Sequence, residues 1–352
     1  MCKERPEAGA GVVVECGAPE SGAEKARQMI DPNVFRDDAV SEETAAMYAA
    51  FRAQLAALRP QFPPVSVQAY RDASLQLAER FSGGPLYQSP KARELIVSDG
   101  VKVRVIDADQ PRGAYLYIHG GGWAIGSAGM QDAQLEALAN ATGLTVISVD
   151  YRLAPEAPFP APLDDCESAA RWLSANAVAE FGTDRLIIGG GSAGANLALA
   201  TLLRLRSSPP AVPFVGGNLL YGVYDTTLNL SRRSTTSSDL SREQMEWFAD
   251  MYVPDHSRRT DPDVSPLYAD LRGLPPLLLT VGTADLLLED SLCLYVRLLA
   301  AHVPVEIQIF PGGDHGFDLM PLAIAHQANE KIAAFLTTAA REDSIIGASL
   351  RT

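Results

Sequence analysis

The spacing of apolar positions changes rhythm along the chain. Met47, Phe51, Leu55 and Leu58 recur at helical intervals, behind Ser41 as a cap and with Glu42 and Glu43 in the first turn. Negative charge is favoured there by the helix dipole. Pro60, Pro63 and Pro64 end that helix. Val67, Tyr70, Leu75, Leu77 and Phe81 mark a second one, stopped by Gly83-Gly84-Pro85. Both precede any strand. From about Glu94 the period falls to two. Residues 95–97 and 101–106 flank Asp99-Gly100, a hairpin signal, and Val101, Val103 and Val105 alternate with Lys102 and Arg104. That strand should keep one wet face.

From Ala114 the rhythm becomes strand, loop, helix, repeated. Residues 115–118, 144–149, 186–188 and 214–220 are apolar runs that read as buried strands. Helices are expected over 131–141, from Leu163 with Cys166, Ala169, Ala170, Leu173 and Ala177 on one stripe, and over 193–205. This alternation predicts an α/β fold, a mostly parallel sheet with helices on both faces. The rhythm breaks over 225–264, a polar insertion whose best helix starts at the capping box Ser241-Arg242-Glu243-Gln244. Then come a buried strand over 277–281, a helix over 287–301, an edge-type strand at 305–309 and a last helix over 322–337.

Bulk properties narrow the partners. The 352 residues are 47% hydrophobic and 20% charged, which suits one large α/β domain with an appendage. Net charge is −14 with 29 Lys and Arg, so phosphate backbones and anionic lipid are disfavoured partners. No apolar run approaches the ~20 residues of a membrane span, and the charged start of the chain lacks a signal-peptide core. Residues 1–28, rich in Gly, Ala, Glu and Pro, read as a mobile tail. Cys2, Cys16, Cys166 and Cys293 form no close pair and no Cys/His cluster, so neither disulfides nor a metal site is expected. Cys166 and Cys293 read as core positions on helices. A reducing compartment, the cytoplasm, is the simplest expectation.

Candidate chemistry gathers just after strands, where an open parallel sheet places its site. Gly190-Gly191-Ser192-Ala193-Gly194 is a G-x-S-x-G arrangement between strand and helix, the sharp turn on which a nucleophilic serine stands clear of the backbone. Gly189, Gly191 and Gly194 also fit a dinucleotide fingerprint, and a plain glycine connection fits too. Against the fingerprint, several strands precede it and no acidic residue closes the next strand. Asp285 follows the strand at 277–281 and His315 the strand at 305–309. Ser192, Asp285 and His315 stand in the order of the α/β-hydrolases. His119-Gly120-Gly121-Gly122-Trp123 follows the strand at 115–118, and its consecutive glycines leave backbone N–H groups free to face a developing oxyanion.

With these stretches go Asp150-Tyr151-Arg152-Leu153-Ala154-Pro155-Glu156, Phe159-Pro160, Asn196, Asp261-Pro262, residues 264–267, Leu274-Pro275-Pro276 and His315-Gly316-Phe317. Together they resemble the hormone-sensitive-lipase-like family of α/β-hydrolase carboxylesterases, over about residues 95–335. The resemblance implies an α/β-hydrolase fold with a helical cap. The cap would be built from residues 29–85 and the insertion 225–264 over a catalytic domain of 86–224 and 265–340. It implies hydrolysis of small esters of short to medium acyl chain, with no cofactor and no metal. Ser192 would be the nucleophile, His315 the base and then the acid, and Asp285 its orienting partner. Gly121, Gly122 and Ala193 would supply the oxyanion N–H groups and His119 would brace the glycine loop. Arg152, Glu156 and Asp165 would form structural ion pairs nearby. A homodimer through the edge strand and last helix is the assembly it suggests. The alternative is a non-catalytic small-molecule binder on the same fold, disfavoured because His315 is present. Many relatives carry Asp where this chain has Gly191, which implies a looser turn here that an Asp at 191 would stabilise.

Overall fold

Continuous apolar runs form inner strands because both their faces are covered. In the computed structural model, which describes residues 30–56, 62–229 and 240–341, the strands are β1 (Ala92–Ile96), β2 (Lys102–Ile106), β3 (Gly113–Ile118), β4 (Leu144–Asp150), β5 (Leu186–Gly191), β6 (Phe214–Leu220), β7 (Leu277–Gly282) and β8 (Val305–Phe310). The helices are α1 (Glu42–Ala56), α2 (Val67–Phe81), α3 (Asp132–Thr142), α4 (Ala161–Phe181), α5 (Ala193–Ser207), α6 (Arg242–Tyr252), α7 (Leu288–Ala300) and α8 (Ala323–Ala339). The tail over 1–28, Cys2, Cys16, Leu58, Pro60 and the middle of the insertion lie outside the described residues.

The sheet order is β1-β2-β4-β3-β5-β6-β7-β8. β1 and β2 are antiparallel to their neighbours and the rest run parallel. β3 and β5 are buried at every position, as their unbroken apolar character requires. β2 keeps the expected wet edge: Lys102 is exposed and Val103 and Val105 are buried. Arg104 folds back onto the buried Asp132 carboxylate, 2.8 Å from its Nε. Adjacent glycines of β6 reveal how the helices layer. The Cα hydrogen side of Gly216 faces Phe335 and Ala339 of α8, and that of Gly217 faces Leu202 of α5. Successive strand positions point to opposite faces, so α8 and α5 cover opposite sides of the sheet. α3 packs with α8, and α4 with α5. No helix among the described residues is long and apolar enough to cross a membrane.

Two expectations need correction. The apolar spacing marks α1 correctly, but it does not mark which described positions are buried. Met47 is exposed, and the buried positions are Thr44 and Tyr48, one helical turn apart. The Tyr48 hydroxyl accepts a hydrogen bond from the Asp314 amide, 2.9 Å away. The contact that orients α1 is therefore polar, and an apolar periodicity cannot reveal it. Cys166 is buried as expected, but Cys293 is only partly covered.

The two helical segments expected to form the cap meet one another. Gln244 of α6 donates from Nε2 to Tyr70 Oη of α2 at 3.0 Å. Tyr70 packs on Trp247 and Phe248 with ring centroids 5.2 and 5.8 Å apart. Ser241 caps α6 through the Gln244 amide, and Gln244 returns the bond, as its capping box requires.

Candidate active site

Ser192 stands immediately past β5 at φ +56 and ψ −122. Few non-glycine residues adopt that conformation, and the strain persists only when surrounding structure enforces it. The enforcement comes from close backbone contact. A Cβ on Gly190 would lie 2.3 Å from the Ile118 carbonyl oxygen, and one on Gly194 would lie 2.0 Å from the same atom. Glycine at both places lets the turn press against the end of β3. β6 runs into Tyr221 rather than an acid, so the ribose partner that the dinucleotide fingerprint needs is missing. The Ser192 amide donates to Leu220 O at 2.9 Å, which fixes the turn to β6 as well.

The other two predicted residues converge on that serine. Asp285 lies past β7 and His315 past β8, and their loops also touch through backbone: a Cβ on Gly282 would lie 2.0 Å from Gly313 O. The Ala284 amide donates to Gly313 O at 3.0 Å. His315 Nδ1 is 3.1 and 3.0 Å from the Asp285 carboxylate oxygens, and Nε2 is 2.9 Å from Ser192 Oγ. A carboxylate can only accept, so Nδ1 carries the proton and Nε2 presents its lone pair to the hydroxyl. Asp285 is fully buried, and its Oδ1 also accepts from the Leu287 amide at 2.8 Å. Burial alone would depress the His315 pKa. The Asp285 charge and hydrogen bond, with Asp314 and Asp318 behind them, outweigh it and hold the imidazole above its ordinary value.

The glycine loop after β3 faces the same point. Gly121 and Gly122 have φ of +115 and +56. Neither amide has a hydrogen-bond partner among the described residues. Ala193 opens α5, where a first-turn amide has no partner within the helix. His119 Nδ1 donates to Gly120 O at 2.8 Å. A peptide unit is planar, so holding the Gly120 carbonyl also aims the Gly121 N–H at its other end. The His119 ring stacks on Tyr151 at 4.2 Å, and burial pushes its pKa down to about 4, so it stays a neutral brace. Trp123 stacks on Tyr252 at 4.5 Å and donates to Asn196 Oδ1 at 3.3 Å. Asn196 Nδ2 in turn donates to Val223 O and Val264 O. The ion pairs form with one change of partner: Arg152 binds Asp165, whereas Glu156 binds Arg71 of α2.

Sequence reading missed Tyr221 and Asp318. Tyr221 follows β6 at φ +36, and its ring meets the His315 imidazole edge-on, with centroids 4.8 Å apart. Its hydroxyl donates to Asp318 at 2.5 Å. The two are 97 positions apart, and no local pattern joins them. Gly191 is not a gap either. A Cβ there would stand 3.3 Å from the Tyr221 ring and hydroxyl, so Tyr221 would have to give by a few tenths of an ångström to admit it. Above Ser192 opens a cavity of about 630 Å³, bounded by Leu75, Ala78, Ile125, Met130, Phe248 and Leu319 among others. No group of three or more His, Cys, Asp or Glu among the described residues is arranged to hold a metal ion.

Comparison with known proteins gives this geometry a context. A family model described as the α/β-hydrolase fold matches residues 115–319. The carboxylesterase NlhH of Mycobacterium tuberculosis is 38% identical over 236 residues, which is 62% of this chain and 72% of that protein. An esterase of Acinetobacter venetianus is 33% identical over 291 residues, 81% of this chain and 86% of that protein. Among solved structures, a hormone-sensitive lipase from a metagenome library superposes with a TM-score of 0.75 at 30% identity. That match covers 86% of this chain and 100% of the other.

Proposed function

Because the chain belongs to the hormone-sensitive-lipase-like esterases of the α/β-hydrolase fold, we propose that it hydrolyses small carboxylic esters through an acyl-enzyme on Ser192. The chain is a carboxylic ester hydrolase by family. The residues that perform the reaction and the size of its substrate are our reading. The observation that carries it is the 2.9 Å separation of His315 Nε2 from Ser192 Oγ, with Nδ1 already engaged by Asp285.

In this reading Ser192 Oγ attacks the ester carbonyl carbon while His315 Nε2 takes the hydroxyl proton. Asp285 keeps the imidazole in the tautomer that can accept and stabilises the imidazolium that forms. The carbonyl oxygen becomes negative and receives hydrogen bonds from the Gly121, Gly122 and Ala193 amides. One such donor is worth about 10²–10³ in rate. Collapse breaks the bond to the alcohol oxygen, which leaves with the proton from His315. Water then repeats the sequence on the acyl carbon and releases the acid. His119 acts through the Gly120–Gly121 peptide and exchanges no proton.

Helices α2 and α6 would act as a cap, since Leu75, Ala78, Met245 and Phe248 all line the cavity over Ser192. The apolar enclosure suits an acyl chain of short to medium length better than a charged group. The test is turnover of p-nitrophenyl esters of increasing chain length by wild type and Ser192→Ala. The variant should lose activity by about 10⁴-fold or more, and it should resist a serine-directed phosphonate that labels wild type stoichiometrically. Full activity in Ser192→Ala would overturn the mechanism. A rate that keeps rising beyond medium chains would overturn the size limit.

A further inference from the structure

One buried carboxylate beside the base has no part in the reaction just described. Asp318 sits in the short turn Phe317–Leu319 and is 5% exposed. Its Oδ1 accepts from Tyr221 Oη at 2.5 Å and its Oδ2 from Gln134 Nε2 at 2.8 Å. Gln134 Oε1 accepts from Gln131 Nε2 at 3.1 Å, and Gln131 Oε1 accepts from Tyr117 Oη at 2.8 Å. The carboxylate is thereby tied to α3 and β3 through neutral donors. Burying a charge on neutral partners is unfavourable beside an apolar replacement, so its presence points to a use other than stability.

Tyr221 transmits that anchorage to the base. Its φ of +36 is enforced by its amide, which donates to Thr280 O at 2.7 Å. The ring lies against the imidazole of His315 on one side, and Gly191 leaves it room on the other. We propose that Asp318 and Tyr221 form a positioning pair for His315: the carboxylate fixes the ring, and the ring confines the imidazole so that Nε2 stays on Ser192 while Nδ1 stays on Asp285. This rests on the reading of His315 as the base.

The pair has two separable effects. The ring acts by contact and the carboxylate also by charge. The imidazole faces Asp285 from the loop after β7, Asp314 and Asp318 from its own loop, Tyr221 from the end of β6 and the Ser192 hydroxyl from the end of β5. Replacing Asp318 by Asn removes one negative charge and leaves the Asp285 bond in place. The imidazolium is then less favoured, and His315 must be neutral to act. The acid limb of kcat/KM therefore moves to lower pH.

The experiment measures pH profiles of kcat and KM with p-nitrophenyl butyrate for wild type, Asp318→Asn, Tyr221→Phe and His315→Ala. Each rate is normalised to active sites titrated with a phosphonate, except for His315→Ala, which is normalised to protein. Tyr221→Phe and Asp318→Asn should each lose kcat by about threefold or more with KM within about twofold, and the acid limb of Asp318→Asn should move down. A kcat within about twofold of wild type in either variant, or an unmoved limb in Asp318→Asn, overturns the inference. If Asp318→Asn does not fold, the kcat of Tyr221→Phe decides. Wild-type turnover in His315→Ala would instead remove the base itself, and this inference with it. Failure of the two positioning variants alone leaves the base in place.

Discussion

A side chain at Gly191 would press on Tyr221. The Gly191 Cα hydrogen points at the Tyr221 ring, and a Cβ would sit 3.3 Å from both Cε2 and Oη. An Asp there would add a second buried carboxylate near Asp318, with the neighbouring hydroxyl already committed to Asp318. Against the expectation that an acid at 191 would stabilise a loose turn stands this packing cost at Tyr221. Gly191→Asp should lower stability by about 2 kcal/mol or more, combining overpacking with an unpartnered charge. Gly191→Ala should lower it by less. Thermal melts of the two variants check the order, and an unchanged or raised melting temperature for Gly191→Asp would refute it.

At the level of elements, Arg71 ties α2 to the loops beneath it, beside the Tyr70 contacts with α6. Arg71 donates from Nε to Ala124 O at 2.8 Å and from Nη2 to Ala154 O at 2.9 Å, and it grips both oxygens of Glu156. Glu156 is largely exposed, so the ion pair itself is worth about 0–1 kcal/mol. The two carbonyls matter more, because each loses a charged donor if Arg71 goes. Glu156→Gln should change little. Arg71→Met should speed hydrogen exchange in α2 by about tenfold or more, the equivalent of about 1.4 kcal/mol, and leave the central strands unaffected. Equal exchange in the two variants would count against the carbonyl argument.

The order of strands and helices was legible because the inner strands and the helices that flank them bury a continuous run or stripe, and burial leaves a period in the sequence. β2 alternates because it has a wet face, and β5 does not because it has none. Ser192, Asp285 and His315 were legible because each follows such a run directly. What escaped was contact made by polar groups across long separations. Tyr48 orients α1 through a backbone amide, and Asp318 reaches Tyr221 from the far side of the chain. Neither leaves a periodic signal.

For the molecule as a whole, the net charge bears on which esters approach. The chain carries a net charge of −14, which predicts that anionic substrates are repelled on approach. At low ionic strength, an ester bearing a free carboxylate should show a lower kcat/KM than a neutral ester of equal length. The gap should narrow as salt shortens the screening length from about 30 Å at 0.01 M to about 8 Å at 0.15 M. A gap independent of salt would place the discrimination in the cavity walls.

The close backbone contacts divide the site into two welded halves. Gly190 and Gly194 join the serine turn to β3 and its glycine loop, and Gly282 joins the loop of Asp285 to that of His315. Ser192 and the glycine loop after β3 thus belong to one half, and Asp285 and His315 to the other. The Ser192–His315 hydrogen bond crosses between the halves, and in the mechanism proposed above it breaks and re-forms at each turnover. Warming or a remote substitution that shears one half against the other would stretch that bond first. Such an enzyme would fall silent while its two halves, and its fold, were still intact.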